Sequence, residues 1–214
     1  MDEDLATIVK ETRKEKIKNF YLKNKKQILT GVSIFLLIIF SIFIFLESAK
    51  NKKIKIANKY VSVSASYDEN NKEYFEKEFI EIIQTYDPTY GPLALYFIID
   101  NKIIDSKEEI NNLFDEVINN SDLDKEVKNL MIYKKGLFNA EFQTENKMIE
   151  ILKPIINSES YWKPHSLLLL GDYFMSKGEK NKAKSFYSKI LTSQKTNENI
   201  FNDAKTKLRG IISD

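Results

Sequence analysis

The chain has 214 residues, 43% of them hydrophobic and 30% charged, with 33 basic against 31 acidic side chains and a formal net charge of +2. It carries no cysteine and a single histidine, His165, which excludes disulfides, thiolate nucleophiles and cysteine metal sites and removes most zinc and Ser/His/Asp designs. The two signs of charge are interleaved where a nucleic-acid binder clusters its cations, and six glycines with four prolines favour helix over sheet.

Residues 1–27 form a polar, lysine-rich arm with one amphipathic helical pattern through Ile8, Ile17, Phe20 and Tyr21. Residues 28–46 then run for 19 positions without a charge. At ~1.5 Å per residue this block matches the ~30 Å hydrocarbon core of a bilayer. It is too long for a signal-peptide core, begins too far from the N-terminus and lacks a convincing small-residue cleavage site after it, so it reads as an uncleaved single span through the lipid bilayer. Lys10, Arg13, Lys14, Lys16, Lys18, Lys23, Lys25 and Lys26 precede it, whereas Lys50, Lys52, Lys53, Lys55 and Lys59 follow. Eight cations against five place the N-terminus on the cytoplasmic side.

Beyond the span, residues 47–69 read as an extended helix and linker, with Ile54, Ala57, Tyr60, Val61, Ser64 and Ala65 recurring at helical steps. Residues 70–214 read as one all-helical domain. A helix carries Phe75, Phe79, Ile82 and Ile83 on one face. Pro88, Gly91 and Pro92 then stop it, and an apolar helix begins at Leu93. Ser106 and Glu109 stand at capping-box spacing before the next helix. Helix pairs follow at about 122–142 with 144–157 and at 164–177 with 179–192, and an amphipathic helix closes the chain. No segment alternates as a strand.

Counted from Pro164 as position 1, the last pair has Leu170 at 7, Gly171 at 8, Phe174 at 11, Gly178 at 15, Ala183 at 20, Tyr187 at 24 and Ile190 at 27. This is tetratricopeptide spacing, in which small residues at 8 and 20 let two antiparallel helices approach and aromatics fill the space beside them. Gly136 lies 35 residues earlier, with Ile132 before it and Met148, Leu152 and Ile155 after it, as a weaker copy. A degenerate third copy runs through Phe97, Ile98, Ile110, Phe114 and Val117. Such units cannot bury their faces alone, so about three hairpins with capping helices make one solenoid.

The arrangement of lysine-rich arm, single span, extended helix, Thr89-Tyr90-Gly91-Pro92-Leu93-Ala94 and the final hairpin resembles the ancillary SecYEG translocon subunit family of the YfgM type, over roughly residues 15 to 212. The resemblance implies a single-pass inner-membrane protein with a periplasmic tetratricopeptide-like domain. It further implies partners in SecYEG and a periplasmic chaperone such as the membrane-anchored isomerase PpiD. The lysines after the span and the weak middle repeats depart from the family pattern.

Position counting directs Leu168, Asp172, Met175 and Ser176 toward the groove of the solenoid, with His165 at position 2 of the same repeat. In the preceding repeat, Leu130, Tyr133, Leu137, Ala140 and Glu141 take the equivalent places. Tyr133, Leu137, Glu141, His165, Leu168, Asp172 and Met175 are therefore the candidate partner-binding residues, a mixed lining suited to a helix or extended segment. The last helix of the chain is the competing occupant. Trp162 is expected to pack the hairpin junction. The pairs Glu108–Glu109 and Asp122–Asp124 fall at helix starts, where acidic residues favour the dipole. No P-loop, Gly-x-Ser-x-Gly or His-Glu-x-x-His is present. The expectation is a non-enzymatic, membrane-tethered adaptor without cofactor, metal, nucleic acid or small-molecule substrate. A scaffold of a cell-envelope or cell-division complex is the alternative. A C-terminal reporter active only in the periplasm should give signal, whereas signal from a reporter active only in the cytoplasm would reverse the orientation.

Overall fold

The computed structural model describes residues 2–193 and 196–213, and for residues 2–12, 17, 212 and 213 the backbone alone. Every regular element among the described residues is helical. The chain divides into two compact units, Met1–Lys55 and Ile56–Asp214.

Helix α1 runs Asp2–Ala65 without interruption. In the first unit no described residue covers its apolar stretch: the most hydrophobic window is 0% buried, and Phe35, Leu37, Phe40, Phe43 and Phe45 are all exposed. This is the one helix among the described residues long and apolar enough to cross a membrane. Phe20 and Tyr21 are also exposed, while the side chains of Ile8 and Ile17 lie outside the described ones.

The second unit begins inside α1. Ile56, Tyr60 and Val63 pack with α2 (Lys72–Ile83), where Tyr60 meets Phe79 edge-on at 6.3 Å and Lys59 is paired with Glu78 and Glu81. Residues 56–65, read from sequence as linker helix, thus carry core side chains. After a one-turn 3-10 helix at Glu69–Asn71, capped by the Asp68 carboxylate, come α2, α3 (Tyr90–Asp100), α4 (Lys107–Asn120), α5 (Lys125–Asn139), α6 (Glu145–Ile156), α7 (Lys163–Ser176), α8 (Lys180–Leu191) and α9 (Glu198–Ser213).

Local chemistry sets the helix starts. Ser106 Oγ accepts from the Glu109 N–H at 3.2 Å, the side-chain half of the expected capping box. Asp87 Oδ1 accepts from the N–H groups of Thr89 and Tyr90 at 2.9 and 2.8 Å. This moves the start of α3 to Tyr90, so Gly91 and Pro92 lie in its first turn instead of ahead of it. A proline is tolerated there because the first four helical N–H groups have no partner within the helix. Gly178 takes φ +76°, the left-handed region that glycine enters without a Cβ clash, and opens the turn between α7 and α8.

Each helix from α2 onward packs against its successor, and α5, α7 and α9 also touch in order. Tyr96 on α3 donates to Met131 Sδ on α5 at 2.9 Å. The odd-numbered helices α3, α5, α7 and α9 therefore lie side by side in one layer, backed by the even-numbered ones. One core cluster gathers around Phe79, Ile82, Leu95, Ile98, Phe114 and Val117, the other around Leu152, Ile155, Leu170, Phe174, Tyr187 and Ile190. Ile132 borders both.

The register counted from sequence corresponds to contacts. A Cβ placed on Gly171 would lie 2.6 Å from Tyr187 Cδ1 and 2.9 Å from Cζ, and closer still to Cε1. A Cβ on Gly136 would lie 2.7 Å from Leu152 Cδ2. Ala204, fully buried, occupies the matching central place in α9. The faint middle repeat also has a cause. Lys135 and Asn139, one before and three after Gly136, stand where the last repeat has Leu170 and Phe174, and both are buried. Lys135 pairs with Asp115 at 2.7 Å, and Asn139 and Asn111 exchange hydrogen bonds of 2.8 and 3.0 Å. At these two positions the α4–α5 contact is polar where the pattern calls for leucine and phenylalanine, while Phe114 on α4 meets Phe138 on α5 at 6.0 Å.

Gly171→Ala should destabilise the Ile56–Asp214 unit by ~1–3 kcal/mol, because the Tyr187 ring is enclosed and cannot withdraw. Gly210→Ala, whose Cβ meets nothing within 4 Å in α9, should stabilise by about 0.5–1 kcal/mol. Thermal melts of the two variants moving in the same direction would refute the packing described here.

Candidate partner-binding face

The sequence-derived candidates sit on α5 and α7, adjacent helices of one layer, but they are not equally available. Leu137 on α5 and Met175 on α7 are 39% and 36% exposed, and Glu141, just past the end of α5, is exposed. Leu168 is half-buried against the second core cluster. The remaining three are engaged within the protein.

Tyr133 stacks on Trp162, with ring centroids 5.5 Å apart and planes 24° from parallel. His165 closes the group, 5.9 Å edge-on from Tyr133 and 5.0 Å from Trp162. Trp162 packs at the junction ahead of α7, as its position implied, and its surface is spent on Tyr133. The loop before it is pinned by Glu126, whose carboxylate accepts from Ser160 Oγ at 2.7 Å and from the Tyr161 N–H at 3.2 Å. Burial pushes the Tyr133 hydroxyl pKa up, with the Asp172 carboxylate adding to it. Burial pulls the His165 pKa down, opposed by its hydrogen bond with the Tyr161 carbonyl.

Asp172 is a strut between helices. Its carboxylate accepts from Tyr187 Oη on α8 at 2.7 Å and from Lys207 Nζ on α9 at 2.7 Å. Lys207 also reaches Asp203 at 3.3 Å. Burial works against the Lys207 ammonium, yet Asp172 and Asp203 more than offset it and raise its pKa. Burial, then the bond to Asp172, raises the Tyr187 hydroxyl well above its ordinary range. Further along the layer, burial takes the Tyr96 hydroxyl up to about 12. These shifts follow from packing and arise at groups that already have partners.

Position counting named Tyr133, His165 and Asp172 singly and missed what meets them: Trp162, Tyr187 and Lys207. The signal was present for the aromatic group, since position 5 of one repeat lies beside position 2 of the next. Nothing in the sequence marked Lys207 as the partner of Asp172. As for the last helix, α9 packs on α8 and lies beside α7, as α7 lies beside α5, so it takes the next place in the layer. Among the described residues no group of His, Asp and Glu is arranged to hold a metal ion.

A family model described as a tetratricopeptide repeat-like domain matches residues 18–211. The chain belongs to this tetratricopeptide repeat-like family. The match runs through the apolar stretch of α1 as well as through the hairpins. No curated protein and no solved structure matches the chain. Tetratricopeptide repeat-like domains are protein-interaction scaffolds, typically without catalysis, and the family therefore implies protein partners.

The chain has one tryptophan and one histidine, and they are in contact, so protonation of His165 should quench Trp162 emission. The folded pKa lies below the unfolded value of about 6.5, so the unfolded state binds the proton first. Stability is then highest above that value and falls as pH drops through it toward the folded pKa. The emission titration of the folded protein should have its midpoint below 6.5 and vanish in His165→Gln. A midpoint at or above 6.5 would contradict the burial described for His165.

Proposed function

We propose that this protein is a membrane-anchored adaptor: α1 crosses the bacterial inner membrane through residues 28–46, and the solenoid on the periplasmic side captures partner proteins beside the SecYEG translocon, passing secreted chains to chaperones. The observation that carries the capture reading is the pair of exposed apolar side chains, Leu137 and Met175, on neighbouring helices of one layer with Glu141 at its edge. An aliphatic and an adaptable thioether next to a carboxylate suit a client of variable sequence. The span reading is supported by the charge-free 28–46 block and by the exposure of residues 29–46 along α1. The translocon assignment rests on the resemblance of the arm, span and Thr89–Ala94 segment to that subunit family, with SecYEG and a PpiD-like chaperone as the partners it implies. An anchor raises the local concentration of the solenoid at the membrane, so modest affinity suffices.

Tyr133, His165 and Asp172 are assigned here to shaping the face, and Leu137, Glu141 and Met175 to contact, with Leu168 beneath them. Replacing Leu137 and Met175 together by serine in the full chain should lower partner capture by roughly five-fold or more, with helicity and membrane insertion unchanged. Photocrosslinkers at the same two positions should label a SecYEG component or a periplasmic chaperone in native membranes. Full capture by the double variant would remove this face from function. Labelling of an envelope or division complex alone would instead establish the scaffold alternative.

A further inference from the structure

The lysines that follow the span need an explanation of their own, because charge bias in topology accounts for cations before it and not for these. Lys50, Lys52, Lys53 and Lys55 fall within six residues of α1, are all exposed and have no partner among the described residues, whereas the next lysine, Lys59, is committed to Glu78 and Glu81. They form two opposed pairs. At about 100° per residue, Lys52 and Lys55 share one face, and Lys50 with Lys53 lies about 160° around the helix. Both faces stand above apolar side chains of the block, but only the Lys52–Lys55 face has the neutral polar side chains of Ser48 and Asn51 in between. Beneath Lys52 and Lys55 is an open, mostly apolar groove on the helix surface, with Ile44 at its base, Ser48 and Asn51 along its side and Phe43 at its edge. Glu47 also borders it, one turn below Asn51 and closer to the apolar floor.

We propose that this face is a binding site for an anionic glycerophospholipid in the leaflet on the far side of the span, with an acyl chain against Phe43 and Ile44 and the headgroup phosphate held by Lys52 and Lys55. Two geometric facts favour a lipid over free phosphate. Lys52 and Lys55 lie about 9 and 14 Å along the helix from Leu46, the last residue of the charge-free block, which puts them at and just above the headgroup layer. Helical side chains lean toward the N-terminus, so lysines after the span lean back toward the membrane, and their ammonium groups reach the phosphates while their stems cover apolar surface. The carboxylate of Glu47 disfavours an anion at its own level and so sets the headgroup above it. Asn51 supplies a neutral donor between. Such a site ties the start of the extended helix to the bilayer surface.

The proposal rests on the reading of α1 as a membrane span, and one experiment separates the two. The full chain is reconstituted into phosphatidylcholine bilayers containing phosphatidylglycerol, and the association of spin-labelled phosphatidylglycerol relative to spin-labelled phosphatidylcholine is measured. Wild type should prefer the anionic lipid, and the preference should fall by roughly three-fold or more in Lys52→Gln/Lys55→Gln. Lys50→Gln/Lys53→Gln, which removes the same charge from the opposite face, should largely retain it. Millimolar glycerol phosphate should not displace the lipid. Equal loss in both variants would reduce the effect to diffuse charge and overturn the site, as would no preference in wild type or displacement by glycerol phosphate. Release of the wild-type chain from membranes by alkaline carbonate would overturn the span itself, and this site with it.

Discussion

The solenoid depends on how closely its helices cross, and that distance is fixed where a side chain is missing. The ring of Tyr187 occupies the space where Gly171 would otherwise carry a Cβ, and Leu152 does the same over Gly136. Both partner side chains are fully or almost fully buried. Once α7 and α8 are drawn together, Tyr187 Oη meets the Asp172 carboxylate, which in turn holds Lys207 of the following helix. A single close crossing thus orients the next helix in the stack. Apolar burial supplies the attraction, and the polar chain through Asp172 selects among the ways α9 could lie on α8.

The middle of the stack solves the same problem with different chemistry. Between α4 and α5, Lys135 pairs with Asp115 and the amides of Asn139 and Asn111 pair with each other, beside the apolar contact of Phe114 with Phe138. Buried polar groups tolerate sliding poorly, because each misplaced donor or acceptor loses its partner without regaining water. These pairs therefore add register to the attraction that Phe114 and Phe138 supply. The junction also links the two apolar clusters, which Ile132 borders on both sides.

With the proposed span, the chain meets two solvents. Among the described residues nothing packs on the exposed residues 29–46 of α1, a surface that suits lipid, while residues 56–65 of the same helix give Tyr60 and Val63 to the core of the second unit. The nine residues between, 47–55, bury nothing in either, and four of them are lysines. The aromatic group of Tyr133, Trp162 and His165 marks a third environment, half-covered and polarisable, on the layer that bears Leu137 and Met175.

The sequence alone determined the all-helical class, the apolar block, the capping at Ser106 and the register through Gly171, Ala183 and Tyr187. Each of these is written in local spacing: period 3.6, a cap three residues from its donor, a small residue one turn from an aromatic. The start of α3 escaped it: Asp87 accepts from the N–H groups of Thr89 and Tyr90, so the helix expected from Leu93 begins at Tyr90 and takes in Gly91 and Pro92. The middle repeat was legible only as a weak copy around Gly136, and its cause was not: Lys135 and Asn139 break the apolar pattern and are paired with Asp115 and Asn111, 20 and 28 residues away. The candidate face was half legible. Spacing placed Leu137 and Met175, which remain exposed, but it could not show that Tyr133 stacks on Trp162 or that Asp172 is held by Tyr187 and Lys207. Periodicity says which way a side chain points from its own helix; what it meets there is decided by the packing of helices distant in sequence.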